Sequence, residues 1–287
     1  MQLGLLARVA VSHLQQNLIK TSNIQKTTPF GLNCTDSSPV IVIYHSTLKV
    51  MTSFFSSEFE WINSPVRWHK EIESTADHKS GDIEGGGGSF DISATVLKIK
   101  PAAYKDFWSK TFYSPTLIKS DACGYLYPIR AEDEATIKID FSYTPVMQFD
   151  QAGLLLYIDE DHWVKCGIEF CDGHPRLSVV VCNVYSDWST QPWPSCAARL
   201  KVHKVNQGSS IVVEAADVNS ENYQFVRIAH ITSTNCDPSV AELPPWRIGP
   251  FAACPTKQRG CEATFQNFSV GSRERPVHDP DLHSHDA

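Results

Sequence analysis

The chain has 287 residues and a net charge of −7, and 42% of its residues are hydrophobic. That length suits one large all-β domain, because sandwiches of about 200–250 residues fold as single units. The acidic balance argues against nucleic acid or an anionic membrane surface as the main partner. With no run of about 18 apolar residues, there is no candidate membrane span.

Residues 1–50 differ in character from the remainder of the chain. Arg8, Lys20, Lys26 and Lys49 stand against a single acid, Asp36, among many Ser, Thr, Asn and Gln. A mitochondrial transit peptide or an upstream extension with Met51 as the working start fits this composition; the lack of arginine enrichment favours the extension. From Met51 the chain turns aromatic, with Phe54, Phe55, Phe59, Trp61 and Trp68 around the Asn63-Ser64-Pro65 turn. Residues 73–91 form a polar, glycine-rich insertion. Its Gly85–Gly88 run lacks the Lys-Ser/Thr of a phosphate loop and reads as a mobile surface loop.

Residues 92–100 and 135–145 alternate as strands, the latter with Ile137, Ile139 and Phe141 on one face. The centre is a meander of three strands, 153–158, 163–171 and 177–185. They are joined by Asp159-Glu160-Asp161 and Asp172-Gly173-His174-Pro175. On the middle strand Val164, Cys166, Ile168 and Phe170 share the core face, while Trp163, Lys165, Gly167 and Glu169 share the other. Further strands follow between 199 and 231, and a proline-containing loop carries Pro238, Pro244 and Pro245. A last strand over 261–270 alternates with an offset that predicts a bulge. No long segment has a period of 3.6, so an antiparallel β-sandwich over 51–271 is expected, with a disordered tail at 272–287.

Nine cysteines is an odd number, and no CxxC pair or HxxxH spacing suggests a metal site. They read as reduced thiols of a cytoplasmic protein, with Cys166 and Cys182 acting as small hydrophobes. On that reading the sequons at Asn33 and Asn267 are unused. No cofactor is expected. His162 and His174 fall in turns, where solvated rings are the expectation, and the acidic turn with Asp150 lacks calcium-loop spacing.

The segments Asp106-Phe107-Trp108, Asp150-Gln151-Ala152-Gly153-Leu154, Trp163-Val164-Lys165-Cys166-Gly167-Ile168-Glu169 and Ser186-Asp187-Trp188-Ser189 carry a resemblance, as does the Gly249–Pro255 segment. From about Phe59 to Val270 the chain resembles the concanavalin A-like family of unknown function that includes the fungal regulator of enolase, related to C-terminal modules of bacterial β-xylosidases. The resemblance implies a jelly roll of two curved antiparallel sheets of the lectin/glucanase type, and brings no settled activity.

In such a sandwich one sheet curves into a groove. Trp163, Lys165 and Glu169 share a face there, Tyr157 joins from the preceding strand, and Asp187, Trp188 and Trp193 lie just past the third strand, on an overhanging loop. Aromatic faces with carboxylate and ammonium groups suit a carbohydrate ligand. The expected function is a non-catalytic, lectin-like module; the alternative is a regulatory protein working through protein contacts. A glycoside hydrolase is a weaker third reading, because no ExDxxE strand is present and a pair such as Glu169 with Asp187 would have to come from different strands.

Overall fold

The computed structural model describes residues 53–278, except 55, 66–71, 75–77, 83–87, 207–208, 232–244 and 257–260. The leader at 1–50, Phe55, Trp68, most of the Gly85–Gly88 run, Pro238 and Pro244 lie outside the described residues. Among those described, every regular element is a strand, and no helix is long and apolar enough to cross a membrane.

Eighteen strands follow in chain order: β1 Glu60–Ile62, β2 Ile72–Ser74, β3 His78–Asp82, β4 Ser89–Ser93, β5 Val96–Lys100, β6 Phe107–Ser109, β7 Ile118–Ser120, β8 Cys123–Ile129 and β9 Ala135–Thr144. Then come β10 Gln151–Tyr157, β11 His162–Cys171, β12 His174–Asn183, β13 Tyr185–Pro192, β14 Ala197–Val205, β15 Ser210–Ala216, β16 Gln224–His230, β17 Trp246–Ala253 and β18 Glu262–Ser272. One sheet runs β1-β8-β17-β10-β11-β12-β13 and the other β16-β15-β14-β9-β18-β5-β4-β3-β2, while β6 and β7 form a separate hairpin. The two large sheets make an antiparallel sandwich of the jelly-roll, concanavalin A-like class.

Alternation builds the main core between the sheets. Leu154, Leu156, Val164, Cys166 and Ile168 from one sheet meet Ile137, Ile139, Leu200, Val202 and Phe265 from the other. The expected bulge in the last strand falls between Gln266 and Ser269, where Asn267 takes a φ of 54°.

Four expectations need correction. The 73–91 insertion is not all loop: β2, β3 and the start of β4 pair as an antiparallel extension of the larger sheet. The strand expected at 92–100 is broken, because Ser93 Oγ accepts from Val96 N at 3.1 Å and turns the chain between β4 and β5. Residues 186–188 are not an overhanging loop but part of strand β13, paired along β12. The tail begins ordered: Glu274 N donates to Thr136 Oγ1 at 2.7 Å, Glu274 pairs with Lys138 at 2.7 Å, and Val277 N donates to the Glu214 carboxylate.

Candidate functional site

The seven-stranded sheet has a second, non-core face. The register places Gln151, Gly153, Leu155 and Tyr157 of β10 opposite Glu169, Gly167, Lys165 and Trp163 of β11. On β12, Ser178, Val180 and Cys182 stand opposite Gly167, Lys165 and Trp163. The segment 101–122, which carries the β6–β7 hairpin, covers much of this face. Its Phe107 and Trp108 pack with Leu155, Tyr157, Trp163, Val180, Cys182 and Phe251 into a second apolar cluster.

The hairpin is fastened at its tip. Ser109 N donates to Ser186 Oγ at 2.9 Å, and Ser109 Oγ donates to Val184 O at 2.6 Å. Lys110, Phe112, Phe149 and Val184 all adopt positive φ, between 64° and 72°. Each such residue costs about 1–3 kcal/mol of backbone strain, retained only where surrounding contacts fix it. Ring contacts link two of them, Phe112 and Phe149, through the aromatic side chains nearby: Phe112 meets Tyr113, which meets Trp108, and both Trp108 and Phe149 meet Trp188.

Within this aromatic fence lies a buried polar cluster. Lys165 Nζ donates to Asp106 Oδ1 at 2.8 Å, an oxygen that also accepts from Phe107 N at 2.7 Å and from Gln151 Nε2 at 3.2 Å. Ser178 Oγ donates to Glu169 Oε2 at 2.8 Å and accepts from Trp188 Nε1 at 2.8 Å. Glu169 is 6% exposed. Burial pushes its carboxyl up to about 7 from the usual 4.5, against the pull of Lys165; the Asp106 charge adds to the rise, and the bonds from Ser178 and Trp188 oppose it. Tyr113 lies close enough that, after burial, the charges of Asp106 and Glu169 raise its hydroxyl.

These groups line a shallow dimple of the sheet face: Gln151, Lys165, Glu169 and Ser178 are joined there by Gly167 and Phe251. Gly167, which lines it, faces Gly153 across the β10–β11 ladder. A Cβ on Gly167 would stand 2.1 Å from Ala152 O, so no larger residue fits without parting the strands.

The residues read from the sequence have divergent fates. Lys165 and Glu169 are brought together with Trp188, whose indole is 37% exposed. Trp163 is 0% exposed and packs on Phe107 at 5.6 Å, so its ring supports the cover and has no free face for stacking. Tyr157 is buried in the same cluster, with the Arg247 guanidinium 4.9 Å from its ring. Asp187 lies on the opposite face of β13 from Trp188 and pairs with Arg227 of β16 at 2.7 Å, closing the sandwich edge. A Glu169–Asp187 pair is therefore not formed. Trp193 belongs to the main core, its Nε1 donating to Ala197 O at 3.0 Å. His162 is buried rather than solvated, because Asp159 Oδ1 meets its Nδ1 at 2.7 Å. His174 is exposed.

Sequence reasoning missed Asp106, Gln151, Ser178 and Tyr113. Asp106 stood in a quoted motif, yet its partner Lys165 lies 59 residues on, and no local pattern connects the two.

Fold and site together define a two-sheet β-sandwich whose non-core face is capped by a hairpin over a buried Asp–Lys–Glu cluster. Residues 88–273 match the family described as "Protein of unknown function (DUF1349)", and the chain belongs to that family. Over 165 residues it is 28% identical to "Regulation of enolase protein 1" of Saccharomyces cerevisiae, covering 58% of this chain and 76% of the relative. In shape it is similar to a functionally unknown protein from Saccharomyces cerevisiae, with a TM-score of 0.57, 24% identity, and coverage of 78% of this chain and 100% of the other. A fainter likeness in shape, with a TM-score of 0.42 and 10% identity over 74% of this chain and 97% of the other, is to lectin II from Ulex europaeus.

Proposed function

We propose that the chain is a non-catalytic, lectin-like module of the cytoplasm that binds a glycan or another small polar ligand on the sheet face around Trp188, Ser178 and Glu169. The observation that carries this is the Trp188–Ser178–Glu169 relay. Trp188 is partly exposed, and its N–H is tied through the Ser178 hydroxyl to a buried carboxylate. An indole offers its face to the apolar side of a sugar ring, while the remaining lone pairs of Glu169 offer acceptors to hydroxyls. Lys165 is already engaged by Asp106, so it tunes Glu169 more than it contacts a ligand. Asp106, the other nearby carboxylate, is held in that ion pair, which speaks against a free acid–nucleophile pair and so against hydrolysis. The test is a glycan-array screen of the full chain beside Trp188→Ala. Binding retained in the variant would refute the site.

A second reading, regulation through contact with another protein, is favoured by the exposed apolar residues of the cover and its neighbour. Phe112 is 90% and Tyr185 62% exposed. Lys110 Nζ lies 5.4 Å from the Tyr185 ring. The name of the yeast relative points the same way. Pull-down with the full chain, compared with Phe112→Ser, separates the two: a partner lost in that variant while glycan arrays stay silent would favour this reading.

A further inference from the structure

Away from the capped face, three buried side chains converge where both sheets meet. Asp150 precedes β10, Cys254 follows β17, and Cys261 precedes β18, so the group joins two strands of one sheet to one strand of the other. One ligand atom from each lies within 4.8 Å of the others. The two sulfurs are 3.7 Å apart, and Cys261 N donates to Cys254 Sγ at 3.2 Å.

Asp150 supplies an independent sign. Its Oδ2 accepts from Val146 N at 2.7 Å and Met147 N at 2.8 Å, which fixes the carboxylate. Its Oδ1 is buried without any hydrogen-bond partner. The residue is 1% exposed. A buried carboxylate oxygen without a partner is costly, and an ion is one of the few groups that resolves it. The sulfur spacing fits the same answer. Metal–sulfur bonds of about 2.3 Å in a tetrahedron hold two sulfurs about 3.8 Å apart, whereas a disulfide needs about 2.05 Å.

We propose that Asp150 Oδ1, Cys254 Sγ and Cys261 Sγ bind a thiophilic divalent cation of the zinc class. Two thiolates and a carboxylate form the donor set that such a cation prefers over calcium or magnesium. Uptake is an exchange that balances: one M²⁺ enters, and two S–H protons leave. Thiolate, not thiol, is the ligand, so proton release is part of binding and affinity rises with pH. Bound metal would staple the two sheets.

The experiment titrates the full-length, reduced, metal-stripped chain with Co²⁺, then with Zn²⁺. One equivalent of Co²⁺ is expected to give thiolate-to-cobalt charge-transfer absorption with tetrahedral d–d bands, and Zn²⁺ to erase both. Cys254→Ser and Asp150→Asn should lose the bands, while Cys182→Ser, a buried thiol on the other face, should keep them. In the wild-type chain Zn²⁺ should protect Cys254 and Cys261, and not Cys196, from alkylation mapped by mass spectrometry. That readout stands even where a variant fails to fold. No charge-transfer absorption in the wild type, or alkylation of Cys254 and Cys261 unchanged by Zn²⁺, would overturn the proposal.

Discussion

Replacing Glu169 with Gln should remove a pH dependence that the wild-type fold carries. In the folded chain the carboxyl titrates near 7, raised from 4.5 first by burial. Between those two values the folded state holds a proton that the unfolded state has released, so stability falls as pH rises through the window. At about 1.4 kcal/mol per pH unit, the displacement from 4.5 to about 7 corresponds to about 3 kcal/mol. Glutamine keeps an acceptor for Ser178 and carries no charge to bury, so the variant should gain on the wild type by roughly that amount between pH 5 and pH 8. Tyr113 and Cys171, which the Glu169 charge raises further, are held above this window by burial in both chains. Urea unfolding of both proteins at half-unit pH steps measures it. Parallel stability curves for the two chains across this window would refute the reasoning.

Lys165→Met should cost about 3–5 kcal/mol in chemical unfolding, because it strands Asp106 as an unpaired buried carboxylate; a loss under 1 kcal/mol would contradict a desolvated pair. Asp187→Ala should change stability by less than about 1 kcal/mol, since its side chain is 74% exposed in the pair with Arg227. Trp163→Ala should cost about 3–5 kcal/mol by opening the second apolar cluster, whereas the half-exposed Trp188 should cost clearly less; thermal melts compare the two. Gly167→Ala should abolish or severely weaken folding, read by near-ultraviolet circular dichroism, because its Cβ would meet the Ala152 carbonyl at 2.1 Å.

The sandwich was legible because alternation leaves little choice once one face is buried. A single-residue slip of β11 would move Val164, Cys166 and Ile168 out of the core, so its register could be read directly from the sequence. The same alternation put Trp163, Lys165 and Glu169 on one face, and there its power ended. Period-two patterns say which face a side chain takes, and not what lies above that face. The cover comes from residues 101–122, whose Phe107 and Trp108 pack with residues as distant in the chain as Val180, Cys182 and Phe251. It turned an expected open platform into a buried cluster with one exposed indole. Asp187 and Trp193 failed for a related reason. Read as loop residues, they escaped the alternation that sends Asp187 to the edge ion pair, and Trp193 was drawn into the main core. The grouping of Asp150, Cys254 and Cys261 spans more than 100 residues of chain and has no spacing motif to betray it.

The most direct test of the proposed function is glycan binding by the full chain compared with Trp188→Ala and Glu169→Gln, both first shown to be folded by their thermal transitions. Array hits should fade in both variants, because the partly exposed indole and the buried carboxylate are joined through Ser178. Hits of undiminished strength in both variants, or a silent array from a folded wild-type chain, would contradict that function.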